Sequence, residues 1–223
     1  MKKVFNKFTI VGFSFLGLFI LLIILLVTVD KKDNYVGEIG LFHLNKAFLV
    51  QNYEDAWDGF SDVILYVSLA FGLGMAIYGL YELIKTKSLF KVDKDVLLTG
   101  AGIIIILLLW LIFDKAIAIN FRPIIINGKA QGSFPSTHVM FTTFLLLASA
   151  RMILKRNKAN IKYTIAAYSG MSVLVLLCAL GRILSCMHWM TDVLGGLFIG
   201  IGLYFLVIGL DKAFSKENIE IVE

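Results

Sequence analysis

Three short clusters carry the side chains that phosphate chemistry needs. Lys115 is followed after six residues by Arg122-Pro123, Pro135-Ser136-Thr137-His138 comes next, and Arg182 is followed after five residues by His188 and after three more by Asp192. Three fixed cations, Lys115, Arg122 and Arg182, suit a phosphate group of roughly −1.5 to −2 charge, because they neutralise both the ground state and the charge that builds during transfer. Arginine adds a bidentate fork for phosphate oxygens. His188 and Asp192 are four apart, which predicts a shared helix face. There the carboxylate can hold one ring nitrogen and leave the other free to attack phosphorus. His138 then remains as the second proton-transfer group, to protonate the departing oxygen and later to activate water. Pro135 reads as an early helix residue, so the amides of Ser136, Thr137 and His138 are expected to stand open at a helix N-terminus as an anion cradle. Pro123 disfavours helix at Arg122, so the preceding helix is expected to stop near there.

The elements that must position these residues are membrane spans. The chain of 223 residues is 59% hydrophobic and 17% charged, too apolar for an ordinary soluble domain. A bilayer-crossing helix needs about 20 mostly apolar residues. Six stretches qualify: Thr9 to Val29, Phe60 to Ile84, Val96 to Ala118, His138 to Leu154, Tyr163 to Ser185 and Val193 to Leu210. They lack the strict alternation of barrel strands, so the expected fold is all-α, an integral membrane bundle of six transmembrane helices. No linker or low-complexity tract interrupts them, and one domain over residues 1–223 is expected.

Lysines and arginines set the orientation, because short basic loops stay on the cytoplasmic side. The two termini and the even-numbered loops hold 14 of them and the other side holds 7, so both termini are expected in the cytoplasm. All three clusters then fall at the outer face, an agreement that did not enter the topology argument. The net charge of +5 is largely absorbed by this asymmetry, which argues against nucleic-acid binding. The Met-Lys-Lys opening mimics a signal peptide, but the apolar run is long and has no small-residue cleavage site before Asp30, so a retained first helix is expected. Cys178 and Cys186 are too far apart along one helix to bridge. There is no Cys/His cluster for zinc, and no acidic cluster for paired magnesium ions in these loops, so no metal and no cofactor is expected.

The segment 30–59 mixes acids with aromatic residues, and its middle, Ile39 to Val50, is expected to be an amphipathic helix lying in the membrane interface. Gly196 and Gly200 form a GxxxG spacing, read as close helix packing within the chain rather than a dimer seam. His43 is assigned no role.

Each site residue has an ordinary explanation on its own: Lys115 or Arg182 as a snorkelling cation, Asp192 as a helix cap, the histidines as interfacial hydrogen-bonders. Those explanations do not account for cations, histidines and an acid recurring on one face. The three clusters resemble the signature of the type-2 phosphatidic acid phosphatase family, the lipid phosphate phosphatases, whose fold is shared with vanadium haloperoxidases. That pattern reads Lys, six residues, Arg-Pro; Pro-Ser-any-His; then Arg, five residues, His, three residues, Asp, and the chain has all of it between Lys115 and Asp192. Two positions depart from its commonest form. Thr137 stands where glycine is usual, and Gly181 stands where serine often precedes the arginine.

The resemblance implies His188 as nucleophile, Asp192 as its orienting acid and His138 as acid and base. Lys115, Arg122, Ser136, Thr137 and Arg182 would bind phosphate. The expected reaction is hydrolysis of a membrane lipid phosphate or diphosphate such as phosphatidylglycerophosphate, undecaprenyl diphosphate or phosphatidic acid. Two other readings keep the same residues: a phosphotransferase that hands the group to another acceptor, and a non-enzymatic binding or transport protein for phosphorylated lipids. Binding alone does not require the His188–Asp192 pair.

Overall fold

A computed structural model describes residues 4–49, 53–126 and 128–220; of Asn34, Lys115 and residues 215–220 it describes the backbone only. The described residues form seven α-helices: α1 (Lys7–Thr28), α2 (Phe42–Ala47), α3 (Asp55–Thr86), α4 (Lys94–Leu111), α5 (Thr137–Arg156), α6 (Ile161–Leu184) and α7 (Met190–Glu220). All but α2 are long and apolar enough to cross a membrane, so the chain is a six-span membrane bundle, as expected.

The helices segregate by depth. α5 is the least apolar of the six, yet 67% of its apolar stretch is buried, against 22% in α1, α3, α4 and α6. This inversion is what a membrane imposes. Apolar residues are at home against lipid, whereas hydroxyls are costly there unless neighbouring helices meet them. Accordingly Thr142, Thr143 and Ser149 lie buried on α5. Thr142 Oγ1 is 3.5 Å from Ser68 Oγ and accepts from Cys178 Sγ at 3.7 Å. Both cysteines are buried.

α7 packs along α5 through glycine. A Cβ on Gly196 would lie 2.7 Å from the Ser136 carbonyl oxygen, and one on Gly200 would lie 2.6 Å from Thr143 Cβ. The GxxxG pair therefore serves packing within the chain. On its other side α7 meets α1, where the Asn6 amide donates to Gly209 O at 2.8 Å and the Asn6 side chain caps α1.

Three local expectations are corrected. The helix expected over Ile39 to Val50 is shorter, the six-residue α2, with Val50 outside the described residues, and it is preceded by a hairpin of β1 (Lys32–Asn34) and β2 (Gly37–Ile39). Val36, Ile39 and Phe42 fold onto Trp189, whereas Leu44, Phe48 and Leu49 stay exposed. Second, α4 ends in a π-helical turn, Ile112–Ala116, six residues before Arg122. Third, Pro135 precedes the helix: Ser136 is the N-cap and α5 begins at Thr137.

Candidate active site

The three clusters converge at one end of the bundle. Arg182 sits in the last turn of α6, His188 and Trp189 form the turn into α7, and Asp192 lies in the first turn of α7. Ser136, Thr137 and His138 open α5 beside them. The contact is direct, since Ser136 N donates to the Asp192 carbonyl at 2.9 Å. That bond corrects the expected cradle, because it occupies one of the three amides and leaves those of Thr137 and His138 in the first turn.

His188 lies just ahead of α7 rather than on its face, and the tight turn still brings Nδ1 within 3.5 Å of Asp192 Oδ2. Asp192 is fully buried. Its Oδ2 accepts from Trp189 N at 2.9 Å and its Oδ1 from Asn120 Nδ2 at 3.3 Å. It therefore caps the helix and faces the histidine at once. His188 is 5% exposed. Burial, then the positive charges of Arg182 and Arg122, hold its imidazole well below the ordinary histidine range. A neutral ring at pH 7 is the form that can act as a nucleophile.

Arg122 is carried on a loop whose strand-like bridge joins Phe121 to Gly132, and its amide donates to Gln131 O at 2.9 Å. Its side chain, Thr137 and His188 line one pocket together with Ser133, Pro135 and the ring of Phe113. The threonine that replaces the usual glycine thus forms part of the pocket wall. Lys115 falls in the π-helical turn at the end of α4; its side chain lies outside the described residues.

Among the buried polar atoms here without a hydrogen-bond partner among the described residues are Arg122 Nε, Ser136 Oγ, Arg182 Nε and His188 Nδ1. Buried donors are seldom left unpaired without a reason. Arg122 lines the pocket, and guanidinium nitrogens and hydroxyls have the donor chemistry that a phosphate group accepts. Among the described residues no three His, Cys, Asp or Glu side chains gather as metal ligands.

Several supporting residues escaped the sequence reading. Asn120 and Asn45 are fully buried and meet at Thr191 Oγ1, at 3.3 and 2.9 Å. Asn120 also accepts from Gly40 N at 3.0 Å, and Trp189 Nε1 donates to Phe121 O at 2.6 Å. The hairpin, α2 and the Arg122 loop are thereby tied to the turn that carries His188. On the opposite side, α3 begins five residues before the expected start of that span and brings Asp58, Ser61 and Asp62 to the site. Arg182 Nη1 donates to Asp58 and, at 3.2 Å, to Ser61 Oγ; His138 Nε2 is 2.7 Å from Asp62 Oδ1. Asp58 fell in the acid-rich segment 30–59, whereas Ser61 and Asp62 fell inside the expected span Phe60 to Ile84.

A six-span bundle with Arg122 and His188 lining a pocket at one end, and the buried Asp192 beside His188, defines a membrane protein with a polar site at the end of its helices. The family is settled by comparison: residues 66–215 match the model of the PAP2 superfamily, and the chain belongs to that family. Phosphatidylglycerophosphatase B of Bacillus subtilis (strain 168) is 30% identical over 97 residues, 44% of this chain and 47% of that protein. The chain thus spans about half the length of that curated relative. A crystal structure of the first transmembrane PAP2 type phosphatidylglycerolphosphate phosphatase from Bacillus subtilis shares the fold, with a TM-score of 0.63 at 24% identity, covering 90% of this chain and 95% of that one. The family match takes in all three clusters and begins after Asp62, so Asp58, Ser61 and Asp62 lie outside it.

Proposed function

We propose that this chain is an integral membrane phosphatase that hydrolyses a phosphate monoester or diphosphate of a membrane lipid through a phosphohistidine. The observation that carries the reading is the His188–Asp192 pair, 3.5 Å apart, at a pocket that also holds Arg122 and Thr137. In the first step a nitrogen of His188 bonds to phosphorus, the bond from phosphorus to the lipid oxygen breaks, and His138 gives that oxygen its proton. In the second, His138 takes a proton from water, whose oxygen displaces His188 and releases phosphate. Arg122, Arg182, Lys115, Ser136 and Thr137 hold the phosphoryl oxygens as charge builds on them. The names of the relatives make phosphatidylglycerophosphate the first substrate to test, beside undecaprenyl diphosphate and phosphatidic acid.

The loop charges support both termini in the cytoplasm and a single-domain chain in the plasma membrane, with its site at the outer face. A lipid tail then stays in the bilayer while its phosphate reaches the end of the bundle. The deciding experiment is phosphate release by detergent-purified protein from a panel of lipid phosphates and diphosphates in EDTA, beside His188→Ala. Release by the wild type alone is the expected result. Activity that survives in the variant removes His188 as nucleophile, dependence on added metal removes the cation-only scheme, and no release from any lipid favours a binding protein.

A further inference from the structure

The first two turns of α3 present Asp58 and Asp62, four apart and so on one face, to two different partners. Asp58 takes Arg182, and Ser61 Oγ between them takes the same guanidinium at 3.2 Å. Asp62 stands 3.8 Å from Arg182 but 2.7 Å from His138 Nε2, so its hydrogen bond goes to the histidine. Acids in a first helical turn are ordinarily explained by the helix dipole, an effect that fades within that turn. Asp62 is the eighth residue of α3 and lies beyond its reach. Stability does not explain it either, since its side chain is 39% exposed and ion pairs so placed contribute little.

We propose that Asp62 is a positioning residue for His138, giving the site a second histidine–carboxylate pair beside His188–Asp192. The proposal rests on the phosphatase reading above. The carboxylate can only accept, so it fixes the proton on Nε2 and assigns the other ring nitrogen, Nδ1, to the substrate. In the cleavage step Nδ1–H passes its proton to the lipid oxygen as the phosphorus–oxygen bond breaks, and Nε2–H stays on Asp62. In hydrolysis a water proton returns to Nδ1 as the water oxygen bonds phosphorus and the phosphorus–nitrogen bond to His188 breaks. The half-exposed carboxylate also puts the histidine in touch with solvent at this end of the bundle.

The test uses the leaving group. An alkyl lipid oxygen needs a proton to depart, whereas p-nitrophenolate does not. Single-turnover cleavage, with enzyme in excess, isolates the step in which the lipid or nitrophenyl oxygen leaves. In Asp62→Asn, cleavage of the preferred lipid phosphate should fall about 10- to 100-fold, the range for lost outer partners of a reacting histidine. Cleavage of p-nitrophenyl phosphate should change by less than about threefold, and Asp62→Glu should recover part of the lipid rate. Asp58→Asn is the contrast: it loosens Arg182, which serves both esters, and should depress the two alike. Inhibition by vanadate checks that each variant retains its pocket. Equal losses on both esters in Asp62→Asn, an unchanged lipid rate, or no recovery in Asp62→Glu overturns the proposal; if Asp62→Asn loses vanadate binding, the two esters are compared in Asp62→Glu alone, which must then favour the nitrophenyl ester. A wild type without activity, or an active His188→Ala, overturns the phosphatase reading instead, and the same plate shows it before the Asp62 variants are compared.

Discussion

The two ends of the bundle both bury charge, and they treat it in opposite ways. Away from the site, Arg151 on α5 bridges Asp95 on α4 and Asp211 on α7, Lys155 donates to Asp211 at 2.9 Å, and Arg156 donates to Asp93 at 2.9 Å while lying over the ring of Tyr78. Asp93 N and the Tyr78 hydroxyl close on Glu82 at 2.9 and 2.6 Å. Among the described residues there, Asp95 Oδ2 alone is a buried side-chain atom without a hydrogen bond, and Lys155 Nζ stands 3.6 Å from it. At the site end, by contrast, Arg122, Ser136, Arg182 and His188 each keep an unpaired buried atom. Burial alone therefore does not mark a functional charge. A network closed on itself fastens helices, and one with bonding capacity left over is built for something else to complete it.

The comparison predicts opposite phenotypes. His188→Ala should cost about 10⁴-fold or more in kcat, the scale of a lost nucleophile, and should leave the melting midpoint in detergent unchanged or higher, because it removes a buried nitrogen that no hydrogen bond satisfies. Arg151→Met should do the reverse. It leaves Asp95 and Asp211, 1% and 4% exposed, to share Lys155, and stripping one partner from a buried ion pair costs about 3–5 kcal/mol. The midpoint should drop while kcat per folded molecule holds. A variant at Arg151 that keeps its stability and loses its rate would erase the distinction between the two ends.

A smaller effect sharpens the electrostatics of the site. His188 is pushed down by burial and by Arg182 and Arg122, and it reacts as the neutral ring, so the acid limb of kcat/KM should lie below the ordinary histidine value of about 6.5. Arg122→Gln removes one positive charge that opposes protonation. The histidine then binds its proton more readily, and the limb moves to higher pH. A limb that stays in place assigns that ionisation to another group.

What the sequence revealed and what it hid divide along a physical line. The six spans were legible because lipid rewards apolar length, and Lys115 to Asp192 was legible because phosphate chemistry demands cations and histidines at fixed spacings. The π-helical turn before Arg122 was not: Pro123 biases only the residue before it, and nothing local specifies where α4 ends. The hairpin over 32–39 escaped because its burial depends on Trp189, some 150 positions away in the chain. Asp58 and Asp62 escaped for the same reason. Asp58, in the first turn of α3, has an ordinary local explanation, Asp62 fell inside an expected membrane span, and only the partners on α6 and α5 show what the two meet.

The subtlest feature joins both kinds of reading. Gly181 departs from the serine that the family resemblance leads one to expect, and the structure supplies the reason. A Cβ at 181 would lie 3.1 Å from Ser61 Cβ and 3.2 Å from the Trp57 carbonyl oxygen, so a glycine lets α3 press against α6. The hydroxyl missing from 181 reappears on the facing helix, where Ser61 Oγ accepts from Arg182 at 3.2 Å. If the two positions exchange one function, their substitutions must couple. Ser61→Ala should weaken vanadate inhibition about fivefold, the scale of one hydrogen bond of about 1 kcal/mol, and Gly181→Ser alone should weaken it as well by pushing α3 away. The double variant removes the α3 hydroxyl and restores one on α6; its loss should be smaller than the two single losses multiplied, because the alanine keeps the β-carbon but leaves no second hydroxyl to compete. Simple multiplication of the single effects would mean that Ser61 and Gly181 act independently, and that the glycine is there for packing alone.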